Sequence, residues 1–255
     1  MEVIIRENYE EISKYAASVI ADQIRRKPDS VIGLATGSTP LGTYKELINL
    51  YKNGEIDFSK VTSFNLDEYV NLQPDHSQSY YYFMKKNLFD HINIKPENYF
   101  LPDGMAKDIP QSCSEYEKNI KEHGGIDIQI LGIGSNGHIA FNEPGSSLGS
   151  RTRIKTLNES TIKDNSRFFE NIDEVPRYAI TMGIGTIMES HAIILLASGE
   201  NKAEAIAKTI EGPITAMVPA TIVQLHQKAT IVIEKETASK LKGKYSSEPA
   251  KLELN

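Results

Sequence analysis

Two side chains able to do acid–base chemistry, and an amide that can orient them, follow one apolar segment in the middle of the chain. The segment Ile128–Ile133 has the length of a strand and ends in glycines, and Asn136, His138 and Glu143 come soon after it. Histidine titrates near neutral pH and a carboxylate can fix its ring, so this group could move protons on a bound substrate. In an open α/β sheet, ligands bind beyond the carboxyl ends of the strands. The pattern therefore predicts a catalytic loop at that edge.

Asp67 is a second acid–base candidate. It follows the apolar strand predicted at Val61–Asn65, so it should reach the same edge of the sheet as His138. An acidic pair such as Asp67–Glu68 more commonly caps or solvates a turn. The residues alone leave both roles open.

A phosphate could bind at the turn Thr36–Pro40, which joins a predicted strand to a predicted helix. Pro40 suits the first helical turn, and Ser38 or Thr39 suits the N-cap. The turn at Gly37 would then present backbone N–H groups and hydroxyls to an anion at the positive end of the helix. A plain N-cap without a ligand is the alternative.

The elements that must position these residues alternate between strand and helix. Strands are predicted at Val3–Ile5, Val31–Leu34, Val61–Asn65, Tyr99–Leu101, Ile128–Ile133, Arg151–Thr156, Tyr178–Thr181, His191–Ala197 and Ala229–Ile233. Helices are predicted at Tyr9–Arg26, from the Pro40 turn to about Tyr51, at Ser79–Phe89, Pro110–Glu122, Glu200–Ile210 and Ala220–His226, with a polar helical region ending at Phe169. This alternation predicts a single α/β domain over residues 1–243, with a mostly parallel sheet, helices on both faces and a polar tail at 244–255.

Composition excludes several classes of protein. The 255 residues carry a net charge of −6, which argues against nucleic acid or an anionic membrane as the partner. The single cysteine, Cys113, excludes an internal disulfide framework and fits a reducing compartment. No segment approaches the length of a membrane span, and the six histidines are too scattered for a metal site. We expect a cytoplasmic protein with a small-molecule substrate and no metal.

Three short segments have glycine spacings found in known binding or catalytic motifs but lack the other features that those motifs require. The glycines of Gly132–Gly137 have the spacing of a dinucleotide site, but Pro144 and two arginines follow where a helix and an acid should come. The segment Gly145–Gly149 lacks the strand-to-helix turn of a nucleophile elbow, and Gly37–Gly42 lacks the lysine of a P-loop. No nucleotide cofactor is predicted.

Longer motifs resemble the glucosamine-6-phosphate deaminase family. They are F-N-L-D-E-Y at Phe64–Tyr69 and L-G-I-G-S-N-G-H-I-A-F-N-E-P at Leu131–Pro144, supported by Leu34–Pro40, Ser150–Thr156 and Tyr178–Thr186. The match runs in register to about Leu241. The resemblance implies a modified Rossmann-like sheet without a nucleotide cofactor. It also implies conversion of glucosamine 6-phosphate and water to fructose 6-phosphate and ammonia.

The resemblance assigns catalytic roles to four residues. Asp67 matches the base that takes the C2 proton of the opened sugar and returns it to C1. His138 matches the residue that opens the sugar ring, and Glu143 matches its acidic partner. Asn136 stands where longer family members have an aspartate. Since an amide orients neighbours but carries no charge, a carboxylate relay through this position is in doubt.

The resemblance also implies binding sites. The substrate phosphate would lie on Gly37, Ser38 and Thr39, with Arg167 and Lys202 as cationic partners. In allosteric family members, residues matching Arg153 and Lys155 bind N-acetylglucosamine 6-phosphate between the subunits of a hexamer. Here the C-terminal segment is short and polar, so we expect little activation and a monomer or small homo-oligomer.

Two other functions stay open. A 6-phosphogluconolactonase has the same fold and a similar Gly-His loop, but lactone hydrolysis needs no base at C2. A non-catalytic sugar-phosphate-sensing domain has the same fold, but has little need for both Asp67 and His138. The sequence F-N-E-P after the His138 loop favours the deaminase.

Overall fold

The computed structural model describes residues 1–166 and 169–246. Its strands are β1 Glu2–Arg6, β2 Val31–Leu34, β3 Thr62–Asn65, β4 Asp67–Tyr69, β5 Tyr99–Phe100, β6 Ile128–Leu131, β7 Arg153–Thr156, β8 Tyr178–Thr181, β9 Ala192–Ala197 and β10 Ala229–Glu234. Its α-helices are α1 Tyr9–Arg26, α2 Leu41–Lys52, α3 Tyr80–Asn87, α4 Ile109–Glu122, α5 Glu159–Ser166, α6 Ile184–Met188 and α7 Ala203–Glu211.

Seven strands form one parallel sheet in the order β1-β10-β9-β6-β2-β3-β5. From β2 the chain moves outward to β3 and β5, and from β6 it moves the other way to β9 and β10. Because crossovers between parallel strands are right-handed, opposite directions put the connecting helices on opposite faces. The predicted α/β fold with a mostly parallel sheet is confirmed.

The reversal of strand order lies between β2 and β6, which pair through Ile32 with Ile128 and Gly33 with Gln129. Such a switch point leaves a crevice beyond the carboxyl ends of the two strands, where ligands bind in this class of fold. The Gly37 turn follows β2 and the His138 loop follows β6. Topology therefore brings two of the predicted site segments together.

A second sheet is antiparallel, with the order β4-β8-β7. The sequence pattern did not predict it. Asp67 begins β4 and pairs with Thr181 of β8. A strand of three residues is too short to show the alternation by which strands are recognised. Pairing with β8 fixes the backbone of Asp67 on one side.

One C-terminal element also differs from expectation. The helix predicted at Ala220–His226 is a 3₁₀ helix at Pro219–Leu225. His226 is buried, with its Nε2 2.8 Å from the backbone oxygen of Ser190. At the start of the predicted polar tail, Ser246 bridges to Ile4 of β1. Residues 247–255 lie outside the described residues. Among the described residues, no helix is long and apolar enough to cross a membrane.

Candidate active site

A cavity of about 320 Å³ opens at the switch point of the parallel sheet. Six of the predicted site residues line it: Gly37, Ser38, Thr39, Asp67, His138 and Lys202. They follow four different strands, namely β2, β3, β6 and β9. The cavity therefore collects residues from across the chain at the edge predicted from the sequence.

The His138 loop depends on glycines for its shape. The backbone N–H of Gly134 donates to the carbonyl oxygen of His138 at 2.9 Å. A Cβ at position 134 would lie 2.2 Å from the Cε1 of His138, so only glycine leaves room for the imidazole. Gly137 has a φ of +85°, in the left-handed region that glycine adopts without strain. The glycines of Gly132–Gly137, which have the spacing of a dinucleotide site, therefore shape the loop around the side chain of His138.

Glu143 lies at the centre of a hydrogen-bond network behind His138. Its Oε2 is 3.5 Å from the Nδ1 of His138 and accepts the side-chain amide of Asn136 at 2.9 Å. The Oδ1 of Asn136 in turn accepts the backbone N–H of His138 at 3.1 Å. Asn158 donates to Glu143 Oε2 at 3.1 Å, and the hydroxyl of Thr161 donates to Oε1. The last two donors come from a polar segment that gave no catalytic signal in the sequence.

The ionisation of Glu143 follows from this network. Burial acts to raise its pKa, but the nearby His138 and its charge, together with the hydrogen bonds from Thr161 and Asn136, lower the pKa to about 2. The side chain is thus a carboxylate that can orient the imidazole and stabilise its cation. The side-chain amide of Asn136 donates to Glu143 at 2.9 Å, and an aspartate at position 136 would put a second carboxylate there. Asparagine keeps the geometry and avoids the repulsion between two carboxylates.

Asp67 and Glu68 divide the two roles that the sequence left open for the pair. Glu68 accepts the backbone N–H groups of Tyr80 at 3.0 Å and Tyr81 at 2.9 Å, so it caps the start of α3. Asp67 lines the cavity and is buried. Burial, followed by the charge of Glu68, raises the pKa of Asp67 to about 8. A carboxylate with a raised pKa is a stronger base than an exposed one.

The turn after β2 has the conformation of an anion site, although its cap differs from the prediction. Pro40 is the N-cap residue of α2, and no side chain of the described residues caps it, so the expectation for Ser38 or Thr39 was wrong. Gly37 has a φ of +94°. The N–H groups of Gly37, Ser38 and Thr39 have no hydrogen-bond partner among the described residues. They stay available to a ligand beside the start of the helix.

Lys202 reaches the cavity from the turn after β9. Glu234 at the end of β10 holds this turn by accepting the N–H of Gly199 at 2.6 Å and the hydroxyl of Ser198 at 2.7 Å. The sequence gave no signal for Glu234, because it lies 35 residues from the N–H that it binds. Arg167, the other predicted cation, lies outside the described residues.

An aromatic wall, formed by Tyr69, Tyr80, Phe141 and Phe169, also lines the cavity. The ring centroids of Tyr69 and Tyr80 are 4.9 Å apart, and Tyr80 stacks on Phe141 at 6.0 Å. Apolar ring faces of this kind pack against the C–H groups of small polar ligands. The sequence did not predict the wall, since its members come from four separate segments.

Comparison with known proteins identifies the family. Residues 6–232 match the family model described as glucosamine-6-phosphate isomerases/6-phosphogluconolactonase. The chain belongs to this family. It is 60% identical to a protein named glucosamine-6-phosphate deaminase from Thermoanaerobacter sp. (strain X514), over 94% of each chain. It is 53% identical to the protein of that name from Clostridium perfringens (strain 13 / Type A), over 95% of this chain and 100% of the relative.

Solved structures of the family agree with the fold. A monomeric glucosamine-6-phosphate deaminase superposes with a TM-score of 0.92 at 48% identity, covering 94% of this chain and 99% of that one. A 6-phosphogluconolactonase from Trypanosoma cruzi superposes with a TM-score of 0.74 at 22% identity, covering 95% and 97%. At that identity the second likeness concerns the fold alone.

The two residues predicted for an effector of the family lie on β7, away from the cavity lining. Arg153 is half-buried, and its Nη1 donates to the Oδ1 of Asn142 at 3.0 Å and to the carbonyl oxygen of Arg151 at 3.2 Å. Burial lowers the pKa of Arg153. Lys155 lies two residues further along the strand, on the same face.

The raised pKa of Asp67 predicts a dependence of stability on pH. Below its ordinary pKa of 3.8 the carboxyl is protonated in the folded and unfolded chain, and folding has no ionisation cost. As the pH rises, the unfolded chain ionises first, and stability falls until the folded pKa of about 8 is passed. Asp67→Asn removes this cost. The free energy of unfolding of the variant should therefore exceed that of the parent, by on the order of a few kcal/mol near pH 8.

Thermal unfolding of parent and variant between about pH 5 and about pH 8 measures this gain, and the other titrating groups cancel in the difference. Asp75→Asn, an exposed aspartate in the loop after β4, is the matched control. A gain for Asp67→Asn that stays constant with pH would contradict the prediction.

Proposed function

We propose that this chain is a glucosamine-6-phosphate deaminase, which converts glucosamine 6-phosphate and water to fructose 6-phosphate and ammonia. The observation that carries the proposal is the buried Asp67 in the same cavity as His138. Isomerisation requires a base at the substrate carbon, and lactone hydrolysis does not. The name shared by relatives at 53–60% identity supports the same reaction.

Ring opening comes first in the proposed reaction. His138 moves a proton from the C1 hydroxyl to the ring oxygen O5. The C1–O5 bond breaks, which leaves an aldehyde at C1 and a hydroxyl at C5. Glu143, held as a carboxylate, orients the imidazole and stabilises its cation. Asn136 holds the loop through its amide and carries no charge in the step.

Proton transfer between carbons follows. Asp67 takes the C2 proton while the C1 oxygen takes a proton from water, which gives a planar enolamine. The same carboxyl returns the proton to C1, and the electrons move to form an iminium at C2. One base suffices for both carbons because both lie on one face of the planar intermediate. Water then adds to C2 and ammonia leaves, which gives the ketone of fructose 6-phosphate.

The phosphate would bind at the Gly37 turn, with Lys202 and Arg167 supplying positive charge. Arg167→Ala is expected to weaken substrate binding by about 2–5 kcal/mol, because a charge-assisted pair is lost. Lys202→Ala should weaken it less, since an ammonium binds as a point charge. The measurement is KM for glucosamine 6-phosphate.

Lys208→Ala is the control for these two variants, because Lys208 is exposed on α7 and pairs with Glu204 at 3.3 Å. Unphosphorylated glucosamine should be a very poor substrate of the parent. Equal turnover of glucosamine with and without phosphate would exclude the site.

The proposal extends to assembly, location and partners. A monomer or small homo-oligomer is supported by the 48% identical monomeric structure. The proposal includes little activation by N-acetylglucosamine 6-phosphate. A cytoplasmic location is supported by the single cysteine, and a small-molecule substrate rather than nucleic acid or membrane by the net charge of −6. We place the single domain at residues 1–243.

The experiment that tests the proposal sets the two activities of the family side by side. Purified protein is given glucosamine 6-phosphate in one reaction and 6-phosphogluconolactone in another. Turnover of the amino sugar alone supports the deaminase. Hydrolysis of the lactone alone would establish the alternative, and binding without turnover of either would favour a sensor.

A further inference from the structure

Tyr9, the first residue of α1, contacts the turn after β2 from outside the cavity. Its hydroxyl oxygen lies 3.0 Å from the carbonyl oxygens of Ser38 and Thr39, and it accepts the N–H of Gly42 at 2.8 Å. Tyr9 is not among the described residues that line the cavity. We propose that Tyr9 is a positioning residue that orients the phosphate-binding turn, an inference that rests on the function proposed above.

The geometry of one peptide unit links Tyr9 to the ligand side of the turn. The carbonyl of Ser38 and the N–H of Thr39 belong to the same trans peptide and point in opposite directions. Because the carbonyl oxygen faces Tyr9, the N–H of Thr39 points away from Tyr9. Thr39 lines the cavity, and this N–H has no partner among the described residues. The tyrosine hydroxyl therefore orients a free donor.

Tyr9 also takes the place of the missing helix cap. The N-cap residue of α2 is Pro40, which has no polar side chain. The hydroxyl of Tyr9 accepts the N–H of Gly42, one of the amides that the first turn of a helix leaves unpaired. This contact fixes the start of α2 relative to α1. With Gly37 in a left-handed conformation and Ser38 exposed, the turn has few other constraints.

The close approach of α1 to the turn requires a glycine at position 42. A Cβ there would lie 2.1 Å from the Oγ of Ser13 and 3.1 Å from the Cε1 of Tyr9. Ser13 is itself held by its hydroxyl, which donates to the carbonyl oxygen of Tyr9 at 2.8 Å. Gly42→Ala must therefore displace Ser13 or the start of α2, and it serves as a second way to disturb the packing of α1 against the turn.

Tyr9→Phe tests the proposal by removing the hydroxyl and keeping the ring. We expect KM for glucosamine 6-phosphate to rise about tenfold, the loss of one to two net hydrogen bonds, with kcat within about twofold. Inhibition by inorganic phosphate should weaken by the same factor. The slow turnover of unphosphorylated glucosamine should not change, because that substrate does not use the turn.

Tyr15→Phe is the matched control. Tyr15 lies on the same helix with its ring 4.9 Å from the guanidinium of Arg6, and its hydroxyl has no hydrogen bond among the described residues. The proposal is wrong if Tyr9→Phe leaves KM and phosphate inhibition at the values of Tyr15→Phe. It is also wrong if kcat falls while both stay unchanged.

Calorimetric titration with inorganic phosphate separates this inference from the proposed function, because it needs no turnover. A parent that binds phosphate about tenfold more tightly than Tyr9→Phe supports the role of Tyr9 even if no deamination is found. Equal binding refutes it even in an active enzyme. Should Tyr9→Phe fail to fold, Gly42→Ala is titrated instead, with the same two outcomes.

Discussion

Replacement of Asp67 by asparagine is expected to abolish exchange of the C1 and C2 hydrogens with heavy water and to lower deamination by roughly 10²–10⁴-fold. Asparagine keeps the size and hydrogen-bonding capacity of the side chain but cannot accept the C2 proton. Asp67 is buried, and its pKa is raised to about 8 by burial and by Glu68. Among the described residues, Asp67 is the only carboxylate that lines the cavity, so no other is placed to take over the proton transfer. Sugar binding should survive, because the phosphate binds elsewhere.

The measurement is hydrogen exchange followed by NMR in heavy water, together with calorimetric binding of glucosamine 6-phosphate. Asp75→Asn, exposed in the loop after β4, should exchange hydrogen as the parent does. Exchange at C2 by Asp67→Asn at near the parental rate would show that Asp67 is not the base. Glu143 would then be the first carboxylate to examine, because its network reaches the cavity through His138.

Replacement of His138 by glutamine is expected to affect ring opening and to leave the carbon chemistry intact. Ring opening also occurs slowly without a catalyst, so open-chain sugar should still exchange its C2 hydrogen through Asp67. Deamination should fall by about 10²-fold or more and become limited by spontaneous opening. Addition of more variant enzyme should then no longer increase the rate.

His191→Gln is the control, because His191 is an exposed histidine immediately before β9. Two results would contradict the assignment. One is a deamination rate for His138→Gln that still rises in proportion to enzyme concentration at the parental slope. The other is loss of C2 exchange in this variant, which would place His138 in the proton transfer between carbons.

The parts of the site that could be predicted are those that follow strong strands. The apolar segments at β2 and β6 are recognisable, and parallel strands end at one edge, so Gly37 and His138 had to lie close together. The pairing of Glu143 with His138 is local in sequence and was also predicted through the family resemblance. The structure adds the 3.5 Å distance between Glu143 Oε2 and His138 Nδ1.

The parts that could not be predicted depend on contacts between distant segments. Tyr9 lies 29 residues from Ser38, and Thr161 lies 18 residues from Glu143. Neither position carries a periodic pattern or motif, because each acts through one hydroxyl group placed by tertiary packing. The antiparallel sheet was missed for a related reason, since β4 has three residues and its partner β8 follows more than a hundred residues later.

The most direct test of the proposed function is a single reaction in which ammonia and fructose 6-phosphate are measured together. Purified protein is mixed with glucosamine 6-phosphate, and the same reaction is run with Asp67→Asn. We predict equal amounts of the two products from the parent and, over the same time, neither from the variant. Absence of both products from the parent, with hydrolysis of 6-phosphogluconolactone by the same preparation, would contradict the assignment.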